Sequence, residues 1–510
     1  MDLAIIVMIL VLFFGAMIGI GLVCRKKATD VNGFVLGGRS VGPWLTAFAY
    51  GTSYFSAVVF VGYAGQFGWK FGISSAWAGI GNAIIGSLLA WLILGRRTRV
   101  MSQHLGSATM PQFFEQRFGS KPLKLAASAL IFIFLIPYTA SLYNGLSRLF
   151  GMAFDIDYSV CVIVMAVLTA VYVIVGGYMA TAINDFIQGI VMLVGIVAVI
   201  FAVLNQQGGL MEAVEQLGQI SAPNESIQEG ALTSLFGPDP SGLMGVVLLT
   251  SLGTWGLPQM VQKFYAIKNE KAITKGMIIS SVFALIVAGG CYFLGGFGRL
   301  FFPSTEQMQS MGGFDNIIPT MLSGLPAVLI GIVLVLVLSA SMSTLSSLVM
   351  TSSSTLTLDF IKGTVVKDMS EKKQLLLIRI LIAVFVAISV IIAIIQHTMG
   401  LAFIAQLMGI SWGALAGAFL APFLYSLYWK RVSKLSVWVC FIFSALFMIC
   451  NMLFKGIFPA ILQSPINAGA FCMLAGLVIV PVVSLLSKAP DQVYVDKVFS
   501  CYCKSKEEEK

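Results

Sequence analysis

The chain has 510 residues, 58% hydrophobic and only 10% charged, with a mean hydropathy of +0.93. Soluble domains carry about 25% charged residues, so this composition excludes a soluble fold and points to an integral membrane protein with little mass outside the bilayer. The formal charge of +9 would suit an acidic partner such as nucleic acid, but its placement along the chain makes it an orientation signal instead.

Apolar runs of roughly 20 residues mark spanning helices. Thirteen are predicted, at 3–23, 44–68, 72–95, 125–149, 158–177, 180–204, 241–262, 273–299, 325–356, 374–396, 402–427, 435–454 and 466–487. The first is too long, and too poorly followed by a small-residue cleavage pattern, to be a signal peptide. The second contains AYGTSYFSAVVFVGYAG, which places Gly51, Thr52, Ser53 and Ser56 at mid-membrane. The sixth carries Asp185 four or five residues into the span, with Asn184 before it and Gln188 after it. An aspartate at membrane depth costs about 2.5–3.5 kcal/mol on insertion scales, which makes it a functional candidate by default. A carboxylate favoured by the helix N-terminal dipole is the alternative.

The outer loop 205–240 opens with QQGGLMEAVEQLGQI, whose apolar spacing predicts a short surface helix, and continues into the turn-rich SAPNESIQEG. Its Asn224 triplet is a glycosylation acceptor only in a secretory pathway. The seventh span, SLGTWGLPQM, places Gly253, Gly256 and Pro258 near the depth of the first interruption. Proline removes a helical donor and glycine loosens the helix. Paired interruptions in corresponding places of two halves are the best sequence pointer to a transporter's central site. They lie five spans apart, which fits two inverted repeats of five helices; two ordinary kinks are the alternative.

The ninth span ends in ASMSTLSSLVMTSSSTLT, Ala340–Thr357. A hydroxyl moved into hydrocarbon without a partner costs roughly 2–7 kcal/mol, so Ser341, Ser343, Thr344, Ser346 and Ser347 need something to bind. Ala340, Ser343, Thr344 and Ser347 share one helix face by their spacing. Oxygens gathered there suit a hard cation such as sodium. A close helix–helix seam uses the same residue types, and the spacing alone admits both.

Orientation follows the basic residues. With the N-terminus outside, only Lys70, Arg148, Arg299 and Lys455 of the 31 basic residues face outward. The remainder, including Lys263–Lys275 and Lys362–Arg379, fall inside. The chain is therefore read as multi-pass in the cell inner (plasma) membrane, N-terminus outside and C-terminus cytoplasmic. Of the eight cysteines, Cys161, Cys291, Cys440, Cys450 and Cys472 lie in spans and Cys24 at an inner boundary. Cys501 and Cys503 are in the tail, so no disulfide framework is expected. The tail, ending KSKEEEK, reads as solvated and disordered.

GGRSVGPW at 37–44, GTSYFSA at 51–57, GGYMATAINDFIQG at 176–189 and SASMSTLSS at 339–347 together resemble the sodium:solute symporter family. That family includes the sodium/proline, sodium/pantothenate, sodium/sialic acid and sodium/glucose symporters. The resemblance spans roughly 1–490. It implies an all-α membrane protein with 13 transmembrane helices and a leucine-transporter-type 5+5 inverted repeat, broken in its first and sixth core helices. One transport domain, 1–490, would comprise an extra N-terminal helix at 3–23, repeats at 44–204 and 241–427, and two C-terminal helices at 435–487. Residues 491–510 would be a cytoplasmic tail. The resemblance further implies a first sodium site from the carbonyls of Thr52, Phe55 and Ala340 with the hydroxyls of Ser343 and Thr344. Some members hold a second sodium between a matching aspartate and the eighth core helix. Here Asp185, Ser343, Ser346 and Ser347 would supply it, giving two sodium ions per cycle.

The solute cavity should lie beside both breaks. Its candidate lining from the first side is Tyr54, Ser56, Val59, Tyr63, Gln66, Ser75 and Trp77. Tyr138, Thr254, Trp255 and Gln259 would complete it. Tyr54 and Ser75 stand where sodium/proline symporters resembling this chain have an aspartate and a glutamate, and Thr250 and Thr254 replace an aromatic pair, which argues against proline. The arginine with which some sialic acid symporters grip a carboxylate is replaced around Pro137 and Tyr138. AINDFIQGIVMLVG at 182–195 and GLPQ at 256–259 are similar to the pantothenate symporters. The expected activity is thus sodium-coupled symport of a small organic solute by alternating access. A pantothenate- or monocarboxylate-like solute is favoured, with an amino acid, sialic acid or sugar as the alternative. Expected partners are sodium ions, the solute and the lipid bilayer, with no nucleic acid and no obligate protein partner. An intramembrane enzyme would need a nucleophile with its base or a metal cluster, and the two histidines are His104, in an inner loop, and His397, at an outer helix end. Filter loops or charged rings of a channel are not visible.

Overall fold

The computed structural model describes residues 2–154, 157–225, 227–362, 364–366, 368–399 and 404–502. Cys503 and the KSKEEEK terminus lie outside these residues, as do Ser226 and the first two residues of the 402–427 run. Every regular element among the described residues is helical. Among the described residues, ten helices are long and apolar enough to cross a membrane, or eleven when one sharply bent pair is counted as a span.

Two boundaries between predicted spans are single-residue corners rather than loops. A 48-residue helix, Tyr158–Asn205, carries both the fifth and sixth runs and changes direction at Gly177 (φ 60, ψ −160). That combination of angles is essentially reserved for glycine. Gly72 (φ 64, ψ −146) makes the corresponding corner between the second and third runs. Apolar periodicity cannot resolve a turn that consumes one residue.

Both predicted interruptions are present. The second run starts as helix Pro43–Tyr54, with proline in its first turn, where its missing N–H costs nothing. It opens at Phe55 (φ −85, ψ 124), then resumes through Val58–Tyr63 and Ala64–Phe71. The seventh run is Pro240–Gly256 followed by Pro258–Ala266, bent by 46° across Leu257. Extended backbone at the residue before Pro258 is what the proline ring enforces.

The serine-rich helix Ala327–Thr355 and the helix Ile404–Tyr428 occupy the centre of the bundle. They have 78% and 89% of their apolar window buried, against 22% for the N-terminal helix Asp2–Cys24. The basic loops counted above for orientation also cap the bundle. Arg99 donates to the Ile267 carbonyl (2.5 Å) and Arg39 to that of Ser107 (2.6 Å). The predicted surface helix forms over Leu210–Gly218. Part of the tail, expected to be disordered, is instead the helix Gln492–Phe499, where Arg117 lies 4.9 Å from the centre of the Phe499 ring. Aromatic side chains at Tyr494 and Phe499 give that segment an apolar stripe to dock.

Candidate functional site

The unwound turn at Phe55 faces the serine-rich helix. The backbone N–H of Ala57, which a continuous helix would have paired internally, donates to Ser341 Oγ (3.2 Å). The carbonyls released upstream converge on one hydroxyl: Thr344 Oγ1 lies 3.2 Å from Thr52 O, 3.2 Å from Phe55 O and 3.1 Å from Ala340 O. Ser343 donates to Thr52 Oγ1 (2.7 Å). All these residues are fully buried. A hydroxyl carries one proton, so at most one of the three carbonyls can be served at a time. The surplus is a neutral cluster of about five oxygens at membrane depth, the arrangement by which unwound segments coordinate sodium. The structure therefore brings Thr52, Phe55, Ala340, Ser343 and Thr344 together.

The Ser343, Thr344 and Ser347 hydroxyls all point at the first broken span, since Ser347 Oγ lies 2.7 Å from Ser53 Oγ. Seam and oxygen cluster are thus one surface. Two other hydroxyls of the run return to their own helix, Ser346 onto Ser343 O and Ser354 onto Met350 O, a local pairing that offsets their desolvation cost, while Thr351 donates to Gln262 Oε1 of the second broken span (2.8 Å).

The second expected ion set is arranged differently. Asp185 is buried beside it, but Ser346 is bonded within its helix and Ser343 to Thr52. A residue absent from the sequence-based candidates enters here. Lys263, assigned to an inner loop by its charge, lies in the helix Pro258–Ala266 and is 2% exposed. Its Nζ is 3.0 Å from Ser347 Oγ and 3.8 Å from an Asp185 carboxylate oxygen. Spacing held the signal: Lys263 falls one turn after Gln259 on the continuing helix face.

Of the expected solute-lining residues, Tyr54 and Tyr138 meet on Trp412, with ring centroids 6.0 and 5.9 Å away. Trp412 was not among the candidates; an indole set among small residues in GISWGALAG was its signal. Thr254 donates to the Gly86 carbonyl (2.8 Å) and Trp255 to that of Ile85 (2.9 Å). Tyr54 and Thr254 share a cavity of about 10 Å³ with Tyr50, Asn82 and Gly86, room for about one water. The Tyr54 hydroxyl and both amide atoms of Gln259 are buried with no hydrogen-bond partner among the described residues. Ser56 and Val59 are buried at the opened turn and just beyond it. Tyr63 and Gln66 lie further along the same span, Tyr63 packed edge-on to Phe67. Two candidates are placed elsewhere. The Ser75 hydroxyl is committed to the carbonyls of Gly72 and Tyr292 (2.7 and 2.8 Å). Trp77 is 37% exposed and donates to Leu235 O in the 205–240 loop.

The sequence model of the sodium:solute symporter family matches residues 34–443. An osmoregulated proline transporter of Bacillus subtilis, OpuE, is 28% identical over 434 residues, covering 84% of this chain and 85% of its own. A sodium/proline symporter of Haemophilus influenzae is 29% identical over 499 residues, 94% of each chain. Among solved structures, a Na+-coupled sialic acid symporter in a substrate-bound outward-open state superimposes with a TM-score of 0.74 at 17% identity, covering 96% of this chain and 99% of that one. That likeness is one of fold. With a family match across most of its length, this chain belongs to the sodium:solute symporter family.

Proposed function

We propose that the protein is a multi-pass carrier of the cell inner membrane that moves an amino acid inward with sodium, by alternating access about the two broken spans. One observation carries the sodium part: three carbonyls, two of them released by the opened turn at Phe55, crowd a single Thr344 hydroxyl. Thr52, Phe55, Ala340, Ser343 and Thr344 are the proposed ligands. We count thirteen spans by dividing the chain at Gly72 and Gly177, and read 44–204 and 241–427 as inverted repeats whose first helices carry the breaks. The N-terminus is placed outside and the C-terminus inside by the basic loops.

The solute assignment departs from the sequence expectation. Relatives aligned over most of this chain are proline transporters, which favours an amino acid over pantothenate or a monocarboxylate; the 182–195 and 256–259 similarities to pantothenate symporters are local. The Ser75 substitution is no argument against an amino acid, since that hydroxyl serves backbone carbonyls. Tyr54, Tyr138 and Trp412 offer aromatic faces to an apolar side chain. The solute's carboxylate would meet bound sodium and free amides at the breaks. Uptake of radiolabelled amino acids into proteoliposomes tests this directly. Accumulation under an inward sodium gradient, and none under an equal potassium gradient, is expected. Sodium-driven uptake of pantothenate or lactate but of no amino acid would overturn the assignment.

A further inference from the structure

The cation cradle beside Asp185 already contains a cation that belongs to the chain. Four elements converge on it: Asp185 from the Tyr158–Asn205 helix, Ser347 from the serine-rich helix, Lys263 from the second broken span, and Ser53 from the first. The Lys263 ammonium lies 3.0 Å from Ser347 Oγ, 3.8 Å from an Asp185 oxygen and 5.2 Å from the centre of the Tyr178 ring. Ser347 is linked in turn to Ser53 (2.7 Å). Hydroxyl, carboxylate and aromatic face each offset part of the cost of burying a cation. Neither Asp185 oxygen has a hydrogen-bond partner among the described residues, so the ammonium is the group that answers its charge.

We infer that Lys263 takes the place of a second sodium ion: its tethered ammonium stands where Asp185 and Ser347 would otherwise hold one, and the protein binds a single sodium ion per cycle. This rests on the sodium-coupled reading above and revises its expected stoichiometry from two to one. The charge balance gives the reason. Asp185 and Lys263 together are neutral, whereas a sodium ion added to the same ligands would leave an unbalanced positive charge in a buried site, a few ångströms from a like charge. A side chain supplies the same charge without being released. It therefore ties the second broken span to Asp185 and Ser347 while contributing nothing to the gradient that drives accumulation.

Equilibrium binding of 22Na+ alone to the purified full-length protein tests this without the solute being known. One saturable ion per chain is expected for the wild type and for Lys263→Arg, and close to two for Lys263→Gln. The double variant Lys263→Gln/Asp185→Asn should return to one. Two ions on the wild type, or one on a folded Lys263→Gln protein, would overturn the inference. Should Lys263→Gln fail to fold, Thr344→Ala decides: binding must vanish if the Asp185 cradle holds no sodium, and one retained saturable ion overturns the inference. Absence of any saturable binding to the wild type would instead remove the sodium-coupled reading, and this inference with it.

Discussion

At the scale of single residues, the division of labour is between groups committed to backbone carbonyls and groups left facing the breaks. Ser75 illustrates the first kind and Tyr54 the second. Tyr54→Ala is expected to raise the solute KM by about tenfold or more, equivalent to about 1.4 kcal/mol, with the sodium dependence unmoved. Ser75→Ala, which loses a buried hydrogen bond worth roughly 0.5–1.5 kcal/mol, should lower thermal stability and leave KM alone. Solute titrations and melting curves on the two variants separate these outcomes; an unaltered KM in Tyr54→Ala would move the pocket away from Trp412. Much of this chemistry was legible beforehand. The spacing of Ser343, Thr344 and Ser347 defined a face, and that face meets the first break. The spacing of Lys263 from Gln259 was visible but its role was not, because a charge beyond an apolar run reads as a loop when its partner, Asp185, is 78 positions away in the chain. Trp412 was missed for a related reason: its meaning lies in Tyr54 and Tyr138, which come from two other helices.

At the scale of elements, the bundle relies on corners and clamps that composition hides. Gly177 turns a helix by adopting angles that side chains avoid, and a Cβ there would lie 2.9 Å from the Phe34 ring and 3.1 Å from its carbonyl oxygen. Gly177→Ala should therefore cost about 1–3 kcal/mol in backbone strain alone and lower the melting temperature of the purified protein; an unchanged melt would show that the corner is not required. Beside the 205–240 loop, Arg299 stacks on Trp69 (3.3 Å) and pairs with Glu225 (2.6 Å), which also accepts from the hydroxyl and amide of Thr305 (2.6 and 2.8 Å). Partial burial works against the Glu225 charge, but the Thr305 and Arg299 hydrogen bonds outweigh it and hold the carboxyl below the usual glutamate range. A depressed folded value means that the clamp's contribution is complete above the ordinary glutamate pKa and is lost as pH falls through the lower, folded one. Melting curves between roughly pH 6 and pH 3 should thus fall more steeply for the wild type than for Glu225→Gln. Parallel slopes would mean that the clamp adds no pH-dependent stability.

At the scale of the whole molecule, hydropathy and basic loops were enough to read a helical membrane protein, because the bilayer forces the backbone to satisfy itself within each span. The two interruptions were legible for the same reason: Gly51–Ser56 and Gly253–Pro258 break a pattern that hydrocarbon otherwise enforces. What the pattern could not show is how the spans are joined, as at Gly72 and Gly177, or which helices lie inside. The serine-rich helix and Ile404–Tyr428 are apolar like their neighbours, yet they form the core around which the others pack. The proposed alternating access rests on this geometry. A cavity with room for about one water lies between the two broken spans and the helices of Asn82 and Ser280, and the oxygen cluster joins the first broken span to the core, so an ion bound there would bias the relative position of the two.

The sodium concentration giving half-maximal amino-acid uptake, compared between wild type, Thr344→Ser and Thr344→Ala in proteoliposomes, addresses the central claim most directly. Thr344→Ser, which keeps the hydroxyl among the carbonyls of Thr52, Phe55 and Ala340, should stay close to the wild type. Thr344→Ala should need at least about tenfold more sodium or lose sodium-driven uptake entirely. Wild-type sodium dependence in a folded Thr344→Ala protein would contradict the assignment of the ion to this opened turn.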